Sequence, residues 1–175
     1  MKGVIVDCLK HLVVDNFGEK KWDEILKEAG YTEGKNFLPS DNINDDEFFK
    51  MIGETCKSLK ISTEQAADLF GEYWMNKYAT KIYSAFFIGK KSAKEFILDL
   101  DKIHHITTQT MENAHPPRFD YDMKDENTLI ITYKSNRDLI DFAVSLIKGV
   151  GKYYKETIDV SKIGSNKIKV VFDRK

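Results

Sequence analysis

The sequence predicts an α+β protein with a helical first half, followed by a small four-stranded antiparallel sheet with packed helices. Two observations support this. Apolar residues recur at helical spacing through the first half, where Pro39 is the one proline. After Pro116 and Pro117 the pattern changes to alternation, as in Phe119-Asp120-Tyr121-Asp122-Met123 and Ile168, Val170, Phe172.

The first predicted helix covers residues 4–17, with Ile5, Cys8, Leu9, Leu12 and Val13 forming its stripe and Gly18 closing it. Trp22, Ile25, Leu26 and Ala29 repeat the spacing up to Gly30. A polar loop runs through Pro39, and Phe48, Phe49, Met51, Ile52 and Cys56 mark a third helix, with Asp45 and Asp46 as its solvated start. Ser62 and Gln65 read as a capping box opening a helix through Ala66, Leu69, Phe70, Tyr73 and Trp74. A further helix is expected over residues 92–111, stopped by the two prolines. Strands follow at 119–123, 129–133, 155–160 and 167–172. A helix starting near Asn136, with Ser135 and Asp138 as its capping box, carries Leu139, Phe142, Ala143, Leu146 and Ile147. Two subdomains are expected within one domain, 1–62 and 63–175, with no repeat or flexible linker.

Hydrophobic residues at 42% and charged residues at 31% of 175 place the chain among globular domains large enough for a real core. A net charge of −1 gives no electrostatic reason to expect nucleic acid or a membrane surface as partner. No apolar run reaches the ~20 residues that span a bilayer, and the N-terminal apolar run is too short for a signal peptide. Cys8 and Cys56 form no CxxC pair, which fits a reduced, cytoplasmic setting. Cys8 and His11 have the spacing of half a zinc site without a second half, so Cys8 reads first as a buried thiol. Gly149-Val150-Gly151 lacks the third glycine and the preceding strand of a phosphate loop. No catalytic constellation stands out, and no enzyme activity is expected.

The most informative stretch is Tyr133-Lys134-Ser135-Asn136-Arg137. Side chains two apart on an extended backbone share a face. A phenol, a hydroxyl and a guanidinium therefore converge at the end of an apolar strand, suited to a ligand with carboxylates or phosphates. A second feature lies on the preceding helix. Ile97, Leu100, His104 and Thr107 fall on one stripe, so His104 faces the core, whereas His105 shares a face with Asp101, Lys102 and Thr108 and should meet solvent. Such a histidine is ordinarily a hydrogen-bonded core residue. It is also what holds haem iron from its proximal side, and the 133–137 cluster would clasp the propionates.

Met1-Lys2-Gly3-Val4-Ile5, Asp101-Lys102-Ile103-His104, Pro116-Pro117-Arg118 and Tyr-x-Ser-x-Arg at 133–137 occur in an order that resembles the haem–nitric oxide/oxygen binding (H-NOX) domains. That family includes the haem domain of soluble guanylate cyclase, and the resemblance spans essentially the whole chain. It implies haem b buried between a helical distal subdomain and a proximal subdomain. His104 would be the proximal iron ligand, and Tyr133, Ser135 and Arg137 the propionate clamp. Pro117 would press on the porphyrin, although Pro116-Pro117 equally serves as a helix stop and Ser135 as a helix cap. Ile5, Leu9, Trp74, Phe142 and Leu146 would line the distal side. Trp74 also has a plain packing role, and Tyr73, one residue away, is the alternative gas-facing side chain.

Relatives that hold dioxygen stably place a tyrosine where this chain has Phe142. A phenyl ring offers no hydrogen bond to bound dioxygen, so the resemblance implies NO and CO as ligands. It also implies signalling by release of His104, relaxation near Pro117 and a shift of the Ile5–Leu9 helix against the rest. A nearly complete switch of that kind needs about 5.5 kcal/mol of differential affinity. The partners implied for a cytoplasmic, bacterial sensor are a histidine kinase, a cyclic-dinucleotide enzyme or a fused chemotaxis receptor. The abrupt end after Phe172 fits either a stand-alone sensor or the front of a longer receptor. Two other readings share the fold: a haem-free interaction module, and a binder of another apolar carboxylate such as a fatty acid. A Soret band excludes the first, and loss of binding in His104→Gly excludes the second.

Overall fold

The structure, a computed structural model, describes residues 1–173. The last two residues of the expected proximal subdomain therefore lie outside the described residues. The chain forms two compact units, residues 1–66 and the remainder from Ala67.

In the first unit, α1 (Gly3–Phe17), α2 (Glu19–Glu28) and α3 (Asp45–Leu59) follow the apolar stripes. The α1 stripe buries Val4, Val6, Cys8, Leu9, Leu12 and Val13, and Gly18 ends the helix at φ 86°. Asn44 caps α3 by accepting the Asp46 N–H at 2.8 Å. Asp45 is not simply solvated, because its carboxylate pairs with the N-terminal ammonium at 2.6 Å. His11 is exposed, with Nδ1 on the Asp7 carbonyl at 2.8 Å. Cys8 is fully buried, and burial pushes its thiol well above its ordinary value. Among the described residues no group of three or more His, Cys, Asp or Glu is arranged to hold a metal ion.

The Ser62 hydroxyl accepts the Gln65 N–H at 3.1 Å and the Gln65 side chain accepts the Ser62 N–H at 2.8 Å, a reciprocal cap that opens α4 (Thr63–Tyr73). The helix then widens into a π turn over Trp74–Tyr78 before α5 (Ala79–Ile82). Nothing in the apolar spacing announces that turn; such widenings concentrate at functional sites.

The helix expected over 92–111 is two helices, α6 (Ala93–Leu98) and α7 (Leu100–Thr108). Ser92 caps α6 through the Glu95 N–H at 3.2 Å. The Asp101 N–H, which a continuous helix would bond to the carbonyl four residues back, instead donates to the Tyr121 hydroxyl at 3.1 Å. Tertiary hydrogen bonding thus competes at the junction.

Strands β1 (Arg118–Met123), β2 (Thr128–Lys134), β3 (Ile158–Ile163) and β4 (Lys167–Phe172) form one antiparallel sheet in the order β1-β2-β4-β3. Two sequence expectations shift here. Helix α8 runs Ile140–Tyr154, not from Asn136, because Asp138 takes a left-handed backbone at φ 39°. Lys155, also left-handed at φ 55°, closes α8, so β3 starts three residues later than expected. Leu129, Ile131, Ile168 and Val170 of the sheet bury against Ile140, Ile147 and Val150 of α8 and Phe96 and Ile97 of α6. Each such side chain contributes roughly 1.5–3 kcal/mol by leaving water.

Gly149 and Gly71 let α8 and α4 touch backbone to backbone. A Cβ on Gly149 would stand 2.4 Å from the Gly71 carbonyl oxygen, and one on Gly71 would stand 2.3 Å from that of Ser145. The glycines at 149–151 are thus packing residues. Gly149→Val is expected to destabilise the protein by ~1–3 kcal/mol, read as a lower urea midpoint at unchanged slope.

Candidate functional site

His104 sits in the middle of α7, half-buried, and its ring lies 5.4 Å from that of Phe119 on β1. Its Nδ1 is 3.0 Å from the Pro117 carbonyl oxygen. A carbonyl only accepts, so Nδ1 carries the proton and the lone pair is left on Nε2. Burial, the larger influence, moves the imidazole below its ordinary value and keeps it neutral, although the Pro117 hydrogen bond works the other way. A neutral imidazole with one nitrogen committed and the other basic is prepared for a metal. His105 is exposed, as its helical face requires.

The Tyr-x-Ser-x-Arg segment lies at the end of β2. Tyr133 pairs across the sheet with Phe119, their rings 6.0 Å apart, so Phe119 touches both Tyr133 and His104. The Tyr133 hydroxyl is hydrogen-bonded with the Ser135 side chain and the Leu139 backbone, and burial raises its pKa. Ser135 does not cap α8. Its hydroxyl accepts the Arg137 N–H at 3.2 Å, making a tight turn that brings residues 135 and 137 together. The Arg137 guanidinium donates to the His115 carbonyl at 2.7 Å. Phenol, hydroxyl and guanidinium are therefore grouped, and the strap from His115 to Pro117 carries acceptors for both Arg137 and His104.

Trp74 opens the π turn, half-buried, stacked on Phe70 at 5.9 Å and touching Tyr78 at 5.4 Å and Tyr83 at 6.4 Å. Phe142 meets Phe70 edge-on at 5.9 Å, and Leu146 follows one turn later on α8. Phe142 and Leu146 are half-buried, unlike their helix neighbours Ala143, Val144 and Ile147. Tyr73 is buried, with Lys77 over its ring at 5.6 Å. Ile5 and Leu9 belong to α1 in the first unit, half-buried and buried respectively.

Sequence reasoning missed one part of this region. Asp101 is not on a solvent face. Its carboxylate takes both Arg118 Nε at 2.7 Å and Nη2 at 2.6 Å, and also the Phe119 N–H at 2.9 Å. The signal was present, since Asp101 precedes His104 by three residues and so shares its helical side. Tyr78 and Tyr83, which complete the aromatic group, lay beyond the stripe ending at Trp74.

The donor set fits haem. One neutral imidazole would leave Nε2 for iron, and a guanidinium with two hydroxyls would suit paired carboxylates.

Comparison with known proteins agrees. The family described as Haem-NO-binding matches residues 2–162. The soluble guanylate cyclases gcy-32 and gcy-34 of Caenorhabditis elegans are 24% and 23% identical over 156 residues, 87% of this chain. The chain spans 22% of the length of those cyclases. Among solved structures, an oxygen-binding H-NOX domain related to soluble guanylate cyclases superposes with a TM-score of 0.83 at 23% identity, covering 99% of this chain and 96% of that one. The I5F mutant of the T. Tengcongensis H-NOX gives 0.84 at 23% identity, with 99% and 98% covered. The chain belongs to the Haem-NO-binding (H-NOX) family of haem-based gas-sensor domains.

The Arg118 hydrogen bonds, foremost, hold the Asp101 carboxyl at about 2, below its ordinary 3.8. The clamp therefore contributes fully above pH 3.8 and is lost as pH falls through about 2. Asp101→Asn is expected to flatten that part of the acid-unfolding profile; an unchanged profile would assign the acid limb to other carboxylates.

Proposed function

We propose that this chain holds haem b through His104 and senses NO and CO as a non-catalytic signalling domain. The observation that carries the reading is the Nδ1–H of His104 on the Pro117 carbonyl, which leaves Nε2 directed to coordination. Tyr133, Ser135 and Arg137 would receive the two propionates, with Arg137 exchanging its His115 acceptor for a carboxylate. Haem, held by these residues, would supply the ferrous iron at which a diatomic gas binds.

The chain's own residues set gas choice and response. On the gas-binding side, which Trp74 and Leu146 would share, Phe142 has no donor and so would not supply the hydrogen bond that stabilises dioxygen. Ile5 and Leu9 of α1 would complete that side, the N-terminal helices serving as distal subdomain and the rest as proximal. Pro117 would contact the porphyrin beside the histidine. On NO binding His104 would let go. That release, passed on to the α1 helix, would be the signal. Its receiver would be a histidine kinase, a cyclic-dinucleotide enzyme or a fused chemotaxis receptor. A cytoplasmic location suits such partners, and among the described residues no helix is long and apolar enough to cross a membrane.

Reduced protein is expected to show a Soret band that shifts with NO and with CO and does not persist as an oxy form in air. His104→Gly should lose the band and regain it with free imidazole; retention without imidazole would refute His104 as ligand. Arg137→Leu should release haem on the order of tenfold faster, the effect of losing one charge-assisted hydrogen bond. Phe142→Tyr should lengthen the life of the oxy form by roughly tenfold. A purely six-coordinate ferrous–NO spectrum would argue against histidine release.

A further inference from the structure

Asp101 makes more contacts with the His104 strap than a surface carboxylate needs. It stands one turn before His104 on α7. Its Oδ1 accepts from Arg118 Nε at 2.7 Å and from the Phe119 N–H at 2.9 Å, and its Oδ2 accepts from Arg118 Nη2 at 2.6 Å. Its own backbone N–H donates to the Tyr121 hydroxyl at 3.1 Å. Together with the His104–Pro117 bond at 3.0 Å, one turn of helix is fastened to Pro117, Arg118, Phe119 and Tyr121 of β1 and its lead-in.

The covalent chain makes this pertinent to His104. The carbonyl carbon of Pro117 is bonded to the backbone nitrogen of Arg118, and that peptide is planar. Whatever holds Arg118 and Phe119 in place therefore sets where the Pro117 oxygen points. We infer that Asp101, through its forked ion pair with Arg118, is a positioning residue that holds the Pro117 carbonyl on His104 Nδ1 and thereby governs how readily His104 gives up a bound iron. This rests on the reading of His104 as the proximal ligand.

The chemistry gives the direction. With the clamp in place, Nδ1–H has a fixed acceptor, Nε2 keeps its lone pair and the ring cannot turn. With the clamp removed, the acceptor wanders, the other tautomer becomes accessible and the ring gains freedom to swing away. A bidentate arginine–carboxylate pair is the form that holds direction as well as charge, which lysine cannot reproduce. The pair is partly exposed, with side-chain exposures of 25% for Asp101 and 53% for Arg118, so its effect is modest and falls with salt.

The experiment uses Asp101→Asn, Arg118→Ala and Arg118→Lys in the full chain with two readouts. In haem-free protein, the His104 Nδ1–H followed by nitrogen NMR should exchange with water roughly fivefold faster in Asp101→Asn and Arg118→Ala. In haem-loaded protein, conversion of the ferrous–NO complex to the five-coordinate form should also speed up roughly fivefold. Arg118→Lys should fall between wild type and Arg118→Ala in both. Unchanged exchange and conversion, even with a lowered melting temperature, would show Asp101 to be a plain fastening and overturn the inference. Should Asp101→Asn not fold, the exposed Arg118 variants carry the test. If the wild type takes up no haem, the functional reading fails, while Nδ1–H exchange still decides the role of Asp101.

Discussion

One hydrogen bond, from His104 Nδ1–H to the carbonyl of Pro117, constrains most of what this region can do. It selects a tautomer, holds the ring's orientation and leaves Nε2 without a proton on a half-buried side chain. A buried imidazole without such an acceptor would face the cost of an unsatisfied N–H, about 1–3 kcal/mol. Helix α7 ends at Thr108, short of the expected residue 111, and the chain between it and β1 brings the Pro117 carbonyl back alongside His104.

The surrounding structure serves that bond. Strand β1 lies alongside α7 because Asp101 binds Arg118 and Phe119 while Tyr121 takes the Asp101 N–H. Phe119 then joins two chemistries, its ring touching His104 on the helix side and Tyr133 across the sheet. Arg137 reaches back to His115, two residues from Pro117. Imidazole and guanidinium thus depend on one short strap, and movement of the strap is felt at both. A group that drew Arg137 off the His115 carbonyl would therefore act on the strap that also holds His104.

The apolar side has a different logic. Trp74, Phe142 and Leu146 are half-buried while their neighbours pack fully, and the π turn rotates the aromatic group of Trp74, Tyr78 and Tyr83 out of ordinary helical register. The glycine contact of α4 with α8 brings the two helices that carry these side chains within backbone distance. Close approach and a widened turn together place aromatic faces where a straight helix would not.

The helices, the sheet class and the chemical residues were legible because each rests on local information: stripe spacing for α1 to α4 and alternation for β4. His104 and His105 could be separated by helical geometry alone. The start of α8, the start of β3 and the break between α6 and α7 were not legible. Each is decided by a residue taking a left-handed backbone or a tertiary partner, as Asp138, Lys155 and Asp101 do. The sequence by itself determined which side chains, His104 and the group at 133–137, carry the chemistry of the candidate site. Only the tertiary structure decided that Asp101 is a clamp, that Ser135 makes a turn in place of a cap, and that His104 has its proton on Nδ1. The Asp101 and His104 outcomes depend on hydrogen-bond partners 13 to 18 residues away in the chain, which no local spacing encodes, whereas the Ser135 turn is made locally with Arg137.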